Sequence, residues 1–483
     1  MNAPADTATL SSDPTRTLQA LDSAHYLHPF TDHQALAAKG ARVITRAEGI
    51  YIWDSQGHRI LDGMSGLWCV NAGYGRRELA DAAYQQMLTL PFYNTFFQTT
   101  TEPPVRLAAR LSELAPPVDG RRFSHVFFTS SGSEANDTNV RLVRRYWDLM
   151  GQPQRKVIIS RWNAYHGSTV AAASLGGMTG MHEQGDLPIP GIVHIQQPYY
   201  WDLREPGETP ADFGRRAARW LEDKILEVGP DKVAAFIAEP VQGAGGVIIP
   251  PETYWPEIQR IVERYGILLI SDEVICAFGR LGHWFAYERF GTKPDLVTFA
   301  KGVTSGYIPL GGVLVNERVA QVLAAGGEFT HGYTYSGHPV ACAVGLANLD
   351  LMQREGLPER VRTDTGPYLA ERFATLADHP LVGVTETCGM VAGLILVRDK
   401  ATQARFGETS VRFPEEWAVG MTCRGHCFDT GVVMRAVGDR MIIAPPLVMT
   451  RADIDEMIGL IRRALDATLA DLQRQGKMGE RLP

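Results

Sequence analysis

PDLVTFAKGVTSG, residues 294–306, joins a strand signal to a reactive side chain. The run Leu296-Val297-Thr298-Phe299 is apolar and β-prone, and it delivers Lys301 to the point where Gly302 opens a turn. A lysine at the edge of a packed core is desolvated, which disfavours its ammonium form and leaves a nucleophilic amine near neutral pH. Schiff-base chemistry needs such an amine. A lysine at a strand end can also simply snorkel to water, and this stretch alone leaves both readings open.

Working outward, the same form of short apolar run recurs at His125–Thr129, Lys156–Ser160, Val233–Ala238, Ile267–Ser271 and Gly312–Val315. Between about Glu78 and Gly332 these runs alternate with helical segments, the signature of an α/β fold with a mainly parallel sheet covered on both faces. Such sheets bind ligands at the carboxyl ends of their strands. Ala41–Asp62 instead alternates apolar and polar residues around two turns and predicts a small antiparallel meander. After Ser336 come a long helical stretch, strand-like Val391–Val397 and Val432–Arg435, and a closing helix. Thr450 caps that helix with Asp453 three residues on, and Ile454, Met457, Ile458, Ile461 and Leu465 form its apolar stripe. The expected division is an N-terminal arm and meander over 1–75 joining a small domain, a large domain over 76–336, and a smaller α+β domain over 337–483. Residues 1 to about 20 predict a mobile tail or an arm on a partner subunit.

A net charge of −7 argues against nucleic acid as the main partner, and Arg141, Arg144 and Arg145 fall at helical spacing as one solvated face. Six scattered cysteines suit reduced thiols in the cytoplasm. Cys423 and Cys427 would share a helix face, yet no second Cys/His pair stands at a spacing for structural zinc. The opening residues lack a basic start and an apolar run, and no apolar stretch reaches the ~18 residues of a membrane span.

Two further motifs bear on Lys301. Thr129-Ser130-Ser131-Gly132-Ser133-Glu134-Ala135 follows a strand and precedes a helix, where backbone N–H groups can cradle a phosphate; an ordinary N-cap has the same composition. Asp272 ends the apolar run 267–271, and a carboxylate there needs a permanent cationic partner. A Mg²⁺-holding acidic pair would require a GxxxxGK[ST] loop, which the chain lacks. Cradle, buried aspartate and strand-end lysine match the phosphate, ring nitrogen and aldehyde of pyridoxal 5′-phosphate.

The chain resembles the class III pyridoxal-phosphate-dependent aminotransferases of fold type I from about His28 to Leu472, most densely in DGMSGLWCVNAGYG (62–75), FYNTFF (92–97), TSSGSEAND (129–137), WNAYHGST (162–169), AEPVQGAGG (238–246), SDEVICAFGR (271–280) and THGYTYSGHP (330–339). It is most similar to the ω-amine:pyruvate group. The resemblance implies that Lys301 holds the cofactor and shuttles the substrate proton, and that Asp272 keeps the ring nitrogen protonated. It implies Tyr165 and Val274 on the two ring faces, and phosphate binding by Ser131, Gly132 and Ser133 with Thr334 of a second subunit. It also implies His166, Glu239 and Gln242 near the ring, a substrate wall of Leu67, Trp68, Phe96 and Tyr165, and Arg435 as a mobile partner for the carboxylate of pyruvate. A homodimer with shared sites follows, and pairing into tetramers stays open. Ser130 and Gly312 depart from the family's usual Asn and Ala. The implied activity passes an amino group from a diamine such as putrescine, another ω-amino compound or an arylalkylamine to pyruvate. An aminomutase, a decarboxylase or a catalytically silent binding protein on the same fold are the alternatives.

Overall fold

The computed structural model describes residues 13–400, 413 and 415–478. Strands β1 (Ile44–Glu48), β2 (Tyr51–Asp54) and β3 (Arg59–Leu61) form the expected antiparallel meander. The central sheet contains β4 (Phe123–Thr129), β5 (Val157–Arg161), β6 (Ile192–Ile195), β7 (Val233–Ala238), β8 (Leu268–Asp272), β9 (Leu296–Phe299) and β10 (Gly311–Asn316), in the order β4-β10-β9-β8-β7-β5-β6. Neighbours from β6 through β9 pair in parallel, and β10 runs antiparallel to both β4 and β9. Residues 300–310 join β9 to β10 through the 3₁₀ turn Lys301–Thr304, with no helix to carry the chain across the sheet face for a parallel return.

The all-apolar strands are buried on both faces. Val140, Val143 and Trp147 of the helix Gly132–Leu149 pack one face with Ala235, Ile237, Leu268 and Ile270. On the other face Phe213, Leu221, Ile258 and Ile261, from the helices Pro210–Val228 and Tyr254–Tyr265, meet Phe236 and Leu269. Burying an aliphatic or aromatic side chain of this kind contributes roughly 1.5–3 kcal/mol, which is why these faces fix the register.

The third sheet is antiparallel, β11 (Val382–Cys388), β12 (Val391–Leu396), β13 (Arg435–Val437) and β14 (Arg440–Ile443) in the order β11-β12-β14-β13. The expected strand at Val432–Arg435 starts only at its last residue. Val433 N–H donates to the Leu61 carbonyl at 2.9 Å and Leu61 N–H to the Gly431 carbonyl at 2.9 Å, so that run joins the meander instead. The closing helix, Arg451–Arg474, has its Thr450–Asp453 capping box, and its whole predicted stripe is buried. One apolar cluster runs from Ile50 and Leu61 through Phe299 and Leu314 to Ile454 and Ile461, so meander, large sheet and closing helix share a core.

One expectation needs correction, the solvated arginine face, and the predicted N-terminal tail or arm gains a helix at its end. Within the predicted mobile arm, Pro14–His25 is a helix, because Asp13 caps it by accepting from Thr15 N–H and Pro14 occupies its first turn; residues 1–12 lie outside the described residues. The three arginines are not all a solvated face. Arg141 donates to the Thr330 carbonyl at 2.8 Å and Arg145 to that of Gly326, tying residues 326–330 to the helix. Among the described residues no helix is long and apolar enough to cross a membrane, and no cluster of three metal-ligating side chains occurs. All six cysteines are unpaired, five of them buried.

Candidate active site

The carboxyl ends of β4, β8 and β9 meet at a cavity of about 330 Å³ lined by Ser131, Gly132, Ser133, Tyr165, His166, Asp272, Val274 and Lys301, and also by Ser130 and Cys69. After β4 the chain turns at Ser131, whose Oγ accepts from Glu134 N–H at 3.2 Å. Glu134 reaches back to accept from Ser130 N–H at 2.7 Å. The cap thus satisfies the turn, and the first-turn amides of Gly132 and Ser133 are left to a ligand. A Cβ on Gly132 would stand 2.8 Å from Val274 Cγ2, so only glycine lets the helix start close on this wall.

Asp272, 2% exposed, is held from three sides. Its Oδ1 accepts from Val274 N–H at 3.1 Å, and its Oδ2 from His166 Nδ1 at 2.6 Å and Asn136 Nδ2 at 2.7 Å. Asn136 is itself fixed: it donates to the His166 carbonyl at 2.7 Å and accepts from Thr298 Oγ1 at 2.9 Å and Asn139 Nδ2 at 3.0 Å. The carboxylate sets the imidazole's tautomer, with the proton on Nδ1.

Lys301 begins a 3₁₀ turn in the left-handed region, φ +46°. Burial pushes its ammonium below the ordinary lysine range, with Cys69, Asp272 and Glu239 opposing. Glu239 is buried too and is pushed above the usual carboxyl range by desolvation; it accepts from Tyr165 N–H at 3.2 Å and Gly243 N–H at 3.0 Å. Gln242 donates to the Trp162 carbonyl at 3.2 Å, and its buried Oε1 has no partner. Arg435 lies 5.2 Å over the buried Trp68 ring, near enough for its charge to act on Lys301. Desolvation lowers its guanidinium while Tyr165 opposes, and no carboxylate among the described residues acts on it. Leu67 beside it is exposed.

Of the predicted site residues, Leu67, Trp68, Phe96, Glu239, Gln242, Thr334 and Arg435 do not line this cavity. Phe96 packs on Gly332, where a Cβ would meet its ring at 2.9 Å, and Thr95 Oγ1 donates to the Ser336 carbonyl at 3.1 Å. Segments 94–97 and 330–338 thus form one surface, beside exposed Phe92, Tyr93, Phe97 and Tyr335. The departure at Gly312 has a local cause: a Cβ would meet the Phe127 carbonyl and the Phe299 ring at 2.6 Å.

Sequence reasoning missed Asn136, Asn139 and Thr298, although a hydroxyl inside an apolar strand facing two amides one helical turn apart was a usable signal. It also missed Phe30, whose ring stands edge-on to Tyr165 at 6.3 Å, and Arg161, which donates to the Glu239 carbonyl from full burial. Neither carries a pattern that distance along the chain leaves visible.

The donor set suits pyridoxal 5′-phosphate: two free amides and two serine hydroxyls for a phosphate, a fixed carboxylate for a ring N–H, a deprotonatable buried lysine, and an unpartnered Gln242 oxygen. Residues 35–465 match the family model "Aminotransferase class-III". The chain is 58% identical over 457 residues to a putrescine–pyruvate aminotransferase of Pseudomonas aeruginosa, covering 94% of this chain and 97% of that one. A diaminobutyrate–2-oxoglutarate transaminase of Halomonas elongata is 44% identical over 444 residues, 90% and 92% of the two chains. A solved (S)-enantioselective omega-transaminase from Thermomicrobium roseum matches with a TM-score of 0.89 at 44% identity, over 94% of this chain and 99% of that one. This chain therefore belongs to the class III aminotransferases, fold type I enzymes that depend on pyridoxal 5′-phosphate.

Proposed function

We propose that this enzyme is an ω-aminotransferase that takes the amino group of a primary amine, with a diamine such as putrescine as the favoured donor, and gives it to pyruvate, forming alanine and an aldehyde or ketone. The observation that carries this reading is the convergence of Lys301, Asp272 and the Gly132–Ser133 amides on one cavity, with Arg435 near enough for its charge to act on Lys301. Bound pyridoxal phosphate supplies an aldehyde for amine exchange and a ring that withdraws electrons from the substrate's Cα.

The chain's own residues do the rest. Ser131, Gly132 and Ser133 hold the phosphate, with Thr334 contributed by a second copy. Asp272 holds a proton at the ring nitrogen, and His166 and Asn136 fix the carboxylate for that task. Lys301 Nζ, its ammonium disfavoured by burial, would take the proton from the substrate's Cα and return it in the opposite half of the cycle. With pyridoxal phosphate bound, Tyr165 and Val274 would hold its ring between them, and Glu239 and Gln242 would support it from beside Tyr165. Leu67, Trp68 and Tyr165, with Phe96 from the second copy, form the wall for the amine's carbon chain. Arg435 clamps the keto acid's carboxylate through its two-pronged guanidinium and moves aside for an amine that has none. Six unpaired thiols support a cytoplasmic setting.

The test is the two half-reactions run separately. Putrescine, and in parallel a phenylalkylamine, should convert the loaded enzyme to its aminated form. Pyruvate should then restore it with release of alanine. Restoration by 2-oxoglutarate and not by pyruvate would assign the acceptor of the Halomonas relative instead.

A further inference from the structure

The hairpin that carries Arg435 and the turn that begins at Gln242 belong to different parts of the fold, and one buried side chain joins them. Arg440 opens β14 opposite Val437, two pairs along from Arg435 opposite Ile442. It is 5% exposed. Its Nη1 donates to the Tyr199 hydroxyl at 2.6 Å, and its Nη2 donates to the Val247 carbonyl at 2.8 Å and to Glu386 Oε2 at 2.5 Å. Two glycines open its path. A Cβ on Gly246 would stand 3.0 Å from Arg440 Cδ, and one on Gly393 would stand 3.0 Å from Nε.

The residue it grips is strained. Val247 has φ +56°, a conformation that a β-branched side chain rarely adopts. It lies in the turn closed by Gln242 and Ile248, whose backbones exchange hydrogen bonds of 3.1 and 2.9 Å. Gly243 of the same turn donates to the Glu239 carboxylate at 3.0 Å. The strained turn therefore begins at Gln242 and holds the carboxylate of Glu239, which stands just before it.

We propose that Arg440 is a positioning residue whose grip on the Val247 carbonyl holds this turn in its strained form and locks the Arg435 hairpin against it, so that cofactor seating and keto-acid recognition are set by one strut. The proposal rests on the reading of Glu239, Gln242 and Arg435 given above. A lysine cannot replace the strut, because a single ammonium does not span the Tyr199, Val247 and Glu386 oxygens as a planar fork does.

The experiment compares loaded wild type with Arg440→Lys, Glu386→Gln, Val247→Gly and the double variant Arg440→Lys/Val247→Gly, measuring the dissociation constant of pyridoxal phosphate, KM for pyruvate and for putrescine, and melting temperature. Arg440→Lys should raise the cofactor constant and the pyruvate KM by about tenfold each, the scale of a lost charged hydrogen bond, and change the putrescine KM less. Glycine adopts positive φ without strain, so the double variant should regain most of the cofactor affinity. Unchanged constants in Arg440→Lys, or a loss that Val247→Gly does not relieve, would overturn the proposal. If Arg440→Lys does not fold, Glu386→Gln carries the test: a smaller shift of both constants in the same direction supports the strut, and none overturns it. Arg435→Leu separates the two readings. Should it leave the pyruvate KM unchanged, the role given to Arg435 falls and the cofactor constant alone judges Arg440.

Discussion

Asp272 and Lys301 hold opposite electrostatic positions in one cavity. The aspartate accepts hydrogen bonds from three donors, while burial disfavours the lysine as a cation. An aspartate–pyridinium pair at ~4 Å is worth on the order of 4 kcal/mol at an effective dielectric near 20. Asp272→Asn should therefore slow the amine half-reaction by roughly 10³-fold in stopped-flow measurements, while the variant still folds. Burial of Lys301 has a consequence for the cofactor-free protein. Its folded value lies below 10.5, so between that depressed value and 10.5 the unfolded chain binds more protons, and this group's contribution to stability rises with pH. Below that window the buried ammonium is a constant penalty. Cofactor-free Lys301→Met should melt above cofactor-free wild type at pH 7, and the gap should narrow as pH climbs through the window; a variant that melts lower at pH 7 would contradict this. Both residues were legible in the sequence because each ends an apolar run with a charge. Asn136 was not, since its significance lies in contacts with positions 166, 272 and 298 that no local pattern announces.

At the scale of elements, the cradle depends on how closely the helix Gly132–Leu149 starts against Val274. Gly132→Ala should weaken pyridoxal phosphate binding by about tenfold, because the added methyl must displace Val274 or the helix start, a cost of roughly 1–3 kcal/mol. Equilibrium titration of the cofactor checks it, and wild-type affinity would show that the wall yields freely. The strands were largely visible as apolar runs bounded by polar turns. The antiparallel direction of β10 was not, because it goes with a connection over 300–310 that holds a 3₁₀ turn and no crossover helix, which composition does not announce. Likewise β6, four residues long, and β14, which opens with a buried arginine, carry too little periodicity to stand out. Arg440 belongs with these: its partners at 199, 247 and 386 are assembled only by the fold.

On the whole molecule, Phe96 and Thr334 share a surface with exposed Phe92, Tyr93, Phe97 and Tyr335, and an apolar patch of this kind marks an interaction site. We expect it to meet a second copy, giving a particle of at least twice 53.2 kDa in sedimentation. Shared sites also predict complementation. Lys301→Ala chains mixed with chains altered at both Phe96 and Thr334 should regain activity that neither homodimer has, since one site of the mixed dimer keeps every native residue. Additive inactivity would place each site within one chain. The most direct measurement is the visible absorbance of purified wild type and Lys301→Ala with pyridoxal phosphate, before and after putrescine and then pyruvate. Wild type should show a lysine-linked cofactor band that putrescine bleaches and pyruvate restores, and the variant should lack that band. Identical spectra with no response to either substrate would show that Lys301 does not hold the cofactor.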